Sequence, residues 1–116
     1  MKEAIKKNKN YLFQYDYNKQ TGFHWASKLG YVNLLKFLCE SGNYINLYDL
    51  KMRTPIYLAA LFNQYECLEI LINYGANSFL CDSQGKKPID VTTSEKCKKI
   101  LSGTVEKPYF DLYNNQ

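Results

Sequence analysis

The sequence predicts an all-α solenoid of stacked helix-turn-helix units joined by extended loops, and three observations lead there. Asp16, Asp49 and Asp82 stand 33 residues apart, and each opens a similar phrase ending in Thr21-Gly22, Thr54-Pro55 or Lys87-Pro88. Gly42 and Gly75 keep the same spacing, each a fixed distance before the next Asp. Between these markers the apolar residues follow a helical rather than a strand period.

Taken in order, Met1 to Asn10 is lysine-rich and has room only for a second helix, with Ala4 and Ile5 as its apolar contacts. Asn10-Tyr11-Leu12-Phe13-Gln14-Tyr15-Asp16 lines up with Asn43-Tyr44-Ile45-Asn46-Leu47-Tyr48-Asp49, which carries the period back to the start. Thr21 to Leu29 forms a short helix and Gly30 a turn. Val32 to Ser41 forms a second helix, which Gly42 stops. In the next unit the Thr54 hydroxyl can cap the first amides, and Pro55 sits where its missing N–H costs nothing. Ile56 to Phe62 follows as about two turns of helix, with Ala59 and Ala60 letting a neighbour approach closely. After Asn63-Gln64, a helix over Tyr65 to Tyr74 gathers Cys67, Leu68, Leu71 and Ile72 on one face. Gly75 ends it where the chain must turn left-handed.

The third unit, Lys87-Pro88-Ile89-Asp90-Val91-Thr92-Thr93, is shorter. Cys97 follows Cys67 by three residues less than the period, which points to a trimmed turn between its helices. The expected architecture is half a repeat, two full repeats and a shortened C-terminal cap over residues 1–101, with an extension over 102–116. A lone unit cannot bury its apolar face, and about three stacked units are needed for stability, so this chain just reaches the number. In the extension, Pro108-Tyr109-Phe110-Asp111-Leu112-Tyr113 is apolar enough to pack. Covering the last helix pair is the preferred expectation, and a lead into a further domain is the alternative. The half repeat also leaves two readings open, a fragment of a longer array or a small protein opened by Met1.

The 116 residues, 46% hydrophobic and 22% charged, suit one globular domain. No stretch is long and apolar enough to cross a bilayer, and no apolar run follows the basic N-terminus as a secretory signal would require. Lipid-anchor motifs are missing from both ends. These features lead us to expect an intracellular, cytoplasmic protein. Cys39, Cys67, Cys81 and Cys97 form no C-x-x-C pair and lie far in sequence from His24, the single histidine. Neither a metal nor a cofactor is expected, and the thiols read as reduced. The net charge of +4 is assigned to solvated helix ends.

The candidate chemistry is sparse. His24 has no nucleophile or orienting acid at a telling spacing, so a buried hydrogen-bonding role is expected, with Trp25 beside it in the core. Asp49 and Asp82 each open a turn, where an Asp caps its own backbone. No catalytic residue is assigned.

Thr21-Gly22-Phe23-His24-Trp25-Ala26 and Thr54-Pro55-Ile56-Tyr57-Leu58-Ala59 resemble the T-P-L-H-x-A start of the ankyrin repeat. The segment from Cys67 to Gly75-Ala76-Asn77 resembles the family's second helix and exit, and the likeness covers roughly residues 1–101. Gly22 departs from the family's proline, and Tyr57 and Asp90 from its histidine, so the hydrogen bonds there must differ. The resemblance implies a non-catalytic, monomeric interaction module, a scaffold or adaptor binding another protein through loop tips and inner helices. Carried onto this chain, those positions are Tyr15, Tyr17, Asn18 and Gln20, then Tyr48, Leu50, Lys51 and Arg53, then Cys81, Ser83, Gln84 and Lys86. The ends of the inner helices add Lys28, Leu29, Leu61 and Phe62. Tyr15, Tyr48, Leu50, Leu61 and Phe62 are expected to form a stripe crossed by Lys28 and Arg53, rich in the residue types that binding hot spots favour. Two alternatives stand beside this one. The chain could be a regulatory segment of a larger enzyme or channel. A nucleic-acid partner, suggested by the charge and the tyrosines, ranks below both.

Overall fold

A computed structural model describes residues 15–42 and 44–104. The half repeat expected over Met1–Asn10, and the packing expected of the extension beyond Thr104, lie outside the described residues. Within them the chain forms six helices and no strand. They are α1 (Gly22–Leu29), α2 (Val32–Glu40), α3 (Pro55–Leu61), α4 (Tyr65–Asn73), α5 (Pro88–Val91) and α6 (Glu95–Ser102).

Two of the helices start on a capping hydroxyl. The hydroxyl of Thr54 accepts the Tyr57 N–H at the head of α3, and that of Ser94 accepts the Cys97 N–H at the head of α6. Gly22, Pro55 and Pro88 all occupy the first helical position, so the glycine changes the residue and not the boundary. Left-handed residues mark the ends and turns. Gly30 (φ 78°) closes α1, and Asn63 (φ 58°) holds the matching place one period later.

The helices stack in two layers. The inner helices α1, α3 and α5 pack in succession, the outer helices α2, α4 and α6 do the same, and each inner helix packs on its own outer partner. Between the layers Phe23, Leu35, Leu38, Ile56, Leu68 and Leu71 are fully buried, each worth about 1.5–3 kcal/mol. Ala26, Ala59 and Ala60 are buried where neighbouring helices meet. Cys39, Cys67 and Cys97 serve as small buried apolar residues, and the Cys67 thiol leans on the Ala26 carbonyl at 3.8 Å.

The third unit is trimmed differently from the expectation. The three-residue turn persists as Thr92-Thr93-Ser94, matching Phe62-Asn63-Gln64, and the inner helix is what shortens, from seven residues in α3 to four in α5. The turn is kept because Asn63 holds it. The Asn63 carbonyl oxygen accepts from the Thr92 hydroxyl (2.7 Å) and the Thr93 N–H (3.2 Å), while its amide donates to the Thr93 hydroxyl (2.9 Å).

The two ends of the stack differ. Helix α6 places Lys98 and Ser102 where α4 has Leu68 and Ile72, which gives the last outer helix a polar outward face. At the leading end, Leu34 and Phe37 are 36% and 53% exposed, although one period later Cys67 and Ile70 are buried. Trp25 is likewise exposed where Leu58 is buried, so the expectation of a core tryptophan is corrected. Its indole N–H donates to Asp16 Oδ2 at 3.2 Å, and the Lys28 ammonium lies 3.9 Å from its ring centroid. No described hairpin precedes α1 to cover it.

Candidate functional site

A finger precedes each described helix pair, and each of the three is built around its Asp. Oδ1 of Asp16 accepts the N–H groups of Asn18 and Gln20. Asp49 does the same for Lys51 and Arg53, and Asp82 for Gln84 and Lys86. The Asp N–H in turn donates to the carbonyl four residues on, at 2.9–3.0 Å in all three fingers. Lys19, Met52 and Gly85 take the left-handed conformation at the same place in each tip, with φ of 60°, 61° and 80°. The Asp residues are therefore structural, as their turn positions suggested.

Neighbouring fingers are tied together. The Leu50 N–H donates to the Asn18 carbonyl and the Ser83 N–H to the Lys51 carbonyl, both at 3.0 Å. The second carboxylate oxygens add side-chain ties. Asp49 Oδ2 accepts from the Gln20 amide at 3.0 Å and from the Arg53 Nε at 2.9 Å. Burial opposes the Asp49 charge, but Gln20 and Arg53 outweigh it and hold the carboxyl below its usual range. Asp82 is lowered chiefly by the Tyr57 hydroxyl, which donates to its Oδ2 at 2.5 Å.

His24 is fully buried. Its Nδ1 accepts the Thr21 N–H at 3.1 Å, which leaves Nε2 as the protonated nitrogen, donating to the Arg53 carbonyl at 2.9 Å. Burial lowers its pKa, so the ring stays neutral and both nitrogens are engaged. It is a strut, in line with the expectation. Where Tyr57 replaces the histidine, its phenol reaches Asp82 of the next finger, and the Asp90 carboxylate accepts its own Lys87 N–H at 2.9 Å.

The residues singled out from the sequence divide accordingly. Tyr15 (65%), Tyr17 (88%) and Leu50 (61%) are strongly exposed, and Asn18, Leu29, Tyr48, Lys51, Phe62, Ser83, Gln84 and Lys86 are exposed as well. Gln20 is corrected: it is buried, and its amide is used on Asp49. Arg53 is also corrected from the surface to an ion pair with Asp49 that leaves it only partly exposed. Leu61, Cys81 and Lys28 are half-buried. Met52, 47% exposed at a finger tip, was missed, although its register with Lys19 and Gly85 places it there. Leu34 and Phe37 of α2 are exposed too and were not singled out. An open groove of about 550 Å³ lies between α4 and α6, walled by Ile72, Ile100, Glu69 and Lys99. No helix among the described residues is long and apolar enough to cross a membrane.

Stacked helix pairs joined by Asp-anchored fingers define a helical-repeat protein. The family model for ankyrin repeats (3 copies) matches residues 1–82 and 23–103, and the chain belongs to the ankyrin repeat family. It is 32% identical over 67% of its length to an ankyrin and IPT/TIG repeat-containing protein of Schizosaccharomyces pombe, of which it covers 7%. It is 34% identical over 61% of its length to an E3 ubiquitin-protein ligase of Drosophila melanogaster, covering 2% of that protein. With a target of rapamycin complex 2 subunit of Saccharomyces cerevisiae the identity is 32% over 70% of the chain and 20% of the relative. The chain thus spans a small part of the curated relatives it matches. Ankyrin repeats generally mediate protein–protein interaction and are typically non-catalytic.

Proposed function

We propose that this chain is a non-catalytic scaffold or adaptor that binds a partner protein through its finger tips and the C-terminal ends of its inner helices. The observation that carries this reading is the exposure of Tyr17, Tyr15 and Leu50 on tips held in one shape by the Asp16 and Asp49 carboxylates. Large apolar and aromatic side chains presented on a rigid frame lose little entropy on binding, and tyrosine is enriched among hot spots. Leu29 and Phe62 add exposed apolar surface at the ends of α1 and α3. Partner copurification tests the reading. A protein retained by the wild-type chain should be released by the combined Tyr17→Ala, Leu50→Ala and Phe62→Ala variant, with its helical circular dichroism and melting unchanged. Equal retention by that folded variant removes the surface.

A second reading is favoured by the relatives, which include E3 ubiquitin-protein ligases and a protein phosphatase regulatory subunit. In it the chain is the targeting segment of a larger enzyme, using the same fingers to hold that enzyme's substrate or regulator.

A further inference from the structure

Among the described residues the glutamates lie in one layer, and the inner helices carry a single acid, Asp90 of α5, whose carboxylate accepts the Lys87 N–H. Glu40, Glu66, Glu69 and Glu95, all the described glutamates, lie on the outer helices together with Lys36, Lys96, Lys98 and Lys99. That side is balanced. On the fingers the only acids are Asp16, Asp49 and Asp82, and their oxygens are taken up by backbone N–H groups and by Trp25, Gln20, Arg53 and Tyr57. Lys19, Lys51 and Lys86 are exposed on the tips with no ion pair to a described acid, Lys19 lying 5.8 Å from the Tyr15 ring centroid. Each finger thus presents an ammonium group, and the first two set it among exposed tyrosine and leucine side chains.

We propose that the fingers take an acidic peptide segment of the partner protein, its carboxylates meeting Lys19, Lys51 and Lys86 and its apolar side chains meeting Tyr17, Tyr48 and Leu50. The proposal rests on the protein-binding reading above and adds the chemistry of the partner. Charge complementarity supplies encounter rate and register, and the apolar contacts supply residence. A nucleic acid fits less well. Its affinity comes from neutralising many phosphates, whereas Arg53 is committed to Asp49 and Lys28 to the Trp25 ring. Leu50, 61% exposed, also gains nothing from a phosphate backbone.

The probe is a short labelled peptide alternating glutamate with leucine and tyrosine. It is compared with the same peptide carrying glutamine for glutamate and with a single-stranded oligonucleotide of equal charge. The acidic peptide should bind with an affinity that falls as salt rises and should shift the backbone amide signals of residues 48–53 and 83–86. Lys51→Glu with Lys86→Glu should weaken it by about tenfold, while Lys36→Glu with Lys98→Glu on the outer layer should leave it unchanged. The proposal is overturned if the acidic peptide does not bind, if the glutamine peptide binds equally, if both double variants lose equally, or if the oligonucleotide binds as tightly. In each of those cases release of the native partner by the Tyr17, Leu50 and Phe62 variant still decides the protein-binding reading separately.

Discussion

The imidazole of His24 donates from Nε2 to the carbonyl oxygen of Arg53, 29 residues away, at 2.9 Å. Through this bond the first inner helix holds the second finger in place, while Nδ1 accepts the Thr21 N–H, an acceptor role the ring keeps only while it is neutral.

Acid should therefore weaken the fold in a window that starts at the histidine. Burial lowers the His24 pKa below 6.5, so the unfolded chain binds the proton more readily than the folded one. Its contribution is complete above pH 6.5 and is lost as pH falls below that value toward the lowered folded pKa. Urea midpoints at neutral and mildly acidic pH should separate for the wild type and come together for His24→Gln. That variant should also lose about 1–3 kcal/mol at neutral pH from the broken buried bonds.

The shared left-handed position in the fingers makes a paired test. Gly85 has φ 80° and open space beyond its Cα, so Gly85→Ala costs only backbone strain, about 1 kcal/mol. Met52 already bears that strain at φ 61°. Met52→Gly should offset it against the greater flexibility of glycine and come out neutral to about 1 kcal/mol more stable. Thermal melting should fall for Gly85→Ala and stay level or rise for Met52→Gly.

Gly30 should tolerate substitution worst of the glycines. A methyl group there would lie 2.6 Å from Gln64 Oε1, at φ 78°. It would push away the amide that donates to the Lys28 carbonyl at 3.1 Å. Gly30→Ala should cost about 2–3 kcal/mol, strain and a lost hydrogen bond together, read as a lower urea midpoint at unchanged slope.

The Tyr57 phenol should resist ionisation. Burial, and then the bond to Asp82, push its pKa up to about 12. In an alkaline absorbance titration Tyr57→Phe should remove a component near pH 12. It should also lower stability by about 1 kcal/mol, since one tie between successive units is gone.

Most of the fold was legible because it is encoded locally and repeated. The Asp16, Asp49 and Asp82 turns, the Thr54-Pro55 cap and the Gly30, Gly42 and Gly75 stops each follow from a few neighbouring residues. What was not legible depends on contacts between repeats. Gln20 looks like a surface residue, and only the neighbouring finger reveals that its amide closes on Asp49, where Arg53 of that same finger also binds. The three-residue deficit before Cys97 was countable, yet its location in α5 depends on Asn63 gripping Thr92 and Thr93 from the previous unit. Trp25 has helical spacing suited to a core, but burial there needs a hairpin ahead of it. For the binding surface, Tyr17 and Leu50 could be placed on tips by register alone, whereas the gathering of the described glutamates in one layer required knowing which helices are outer.

The contrast between the two ends of the stack gives the array a direction. Trp25, Leu34 and Phe37 are exposed at the positions where Leu58, Cys67 and Ile70 are buried one unit later, while α6 carries Lys98 and Ser102 where α4 has Leu68 and Ile72. Among the described residues, the face of α1 and α2 is therefore already suited to an apolar neighbour. Downstream growth would first require rewriting the lysine-studded terminal helix and restoring the lost turn of α5.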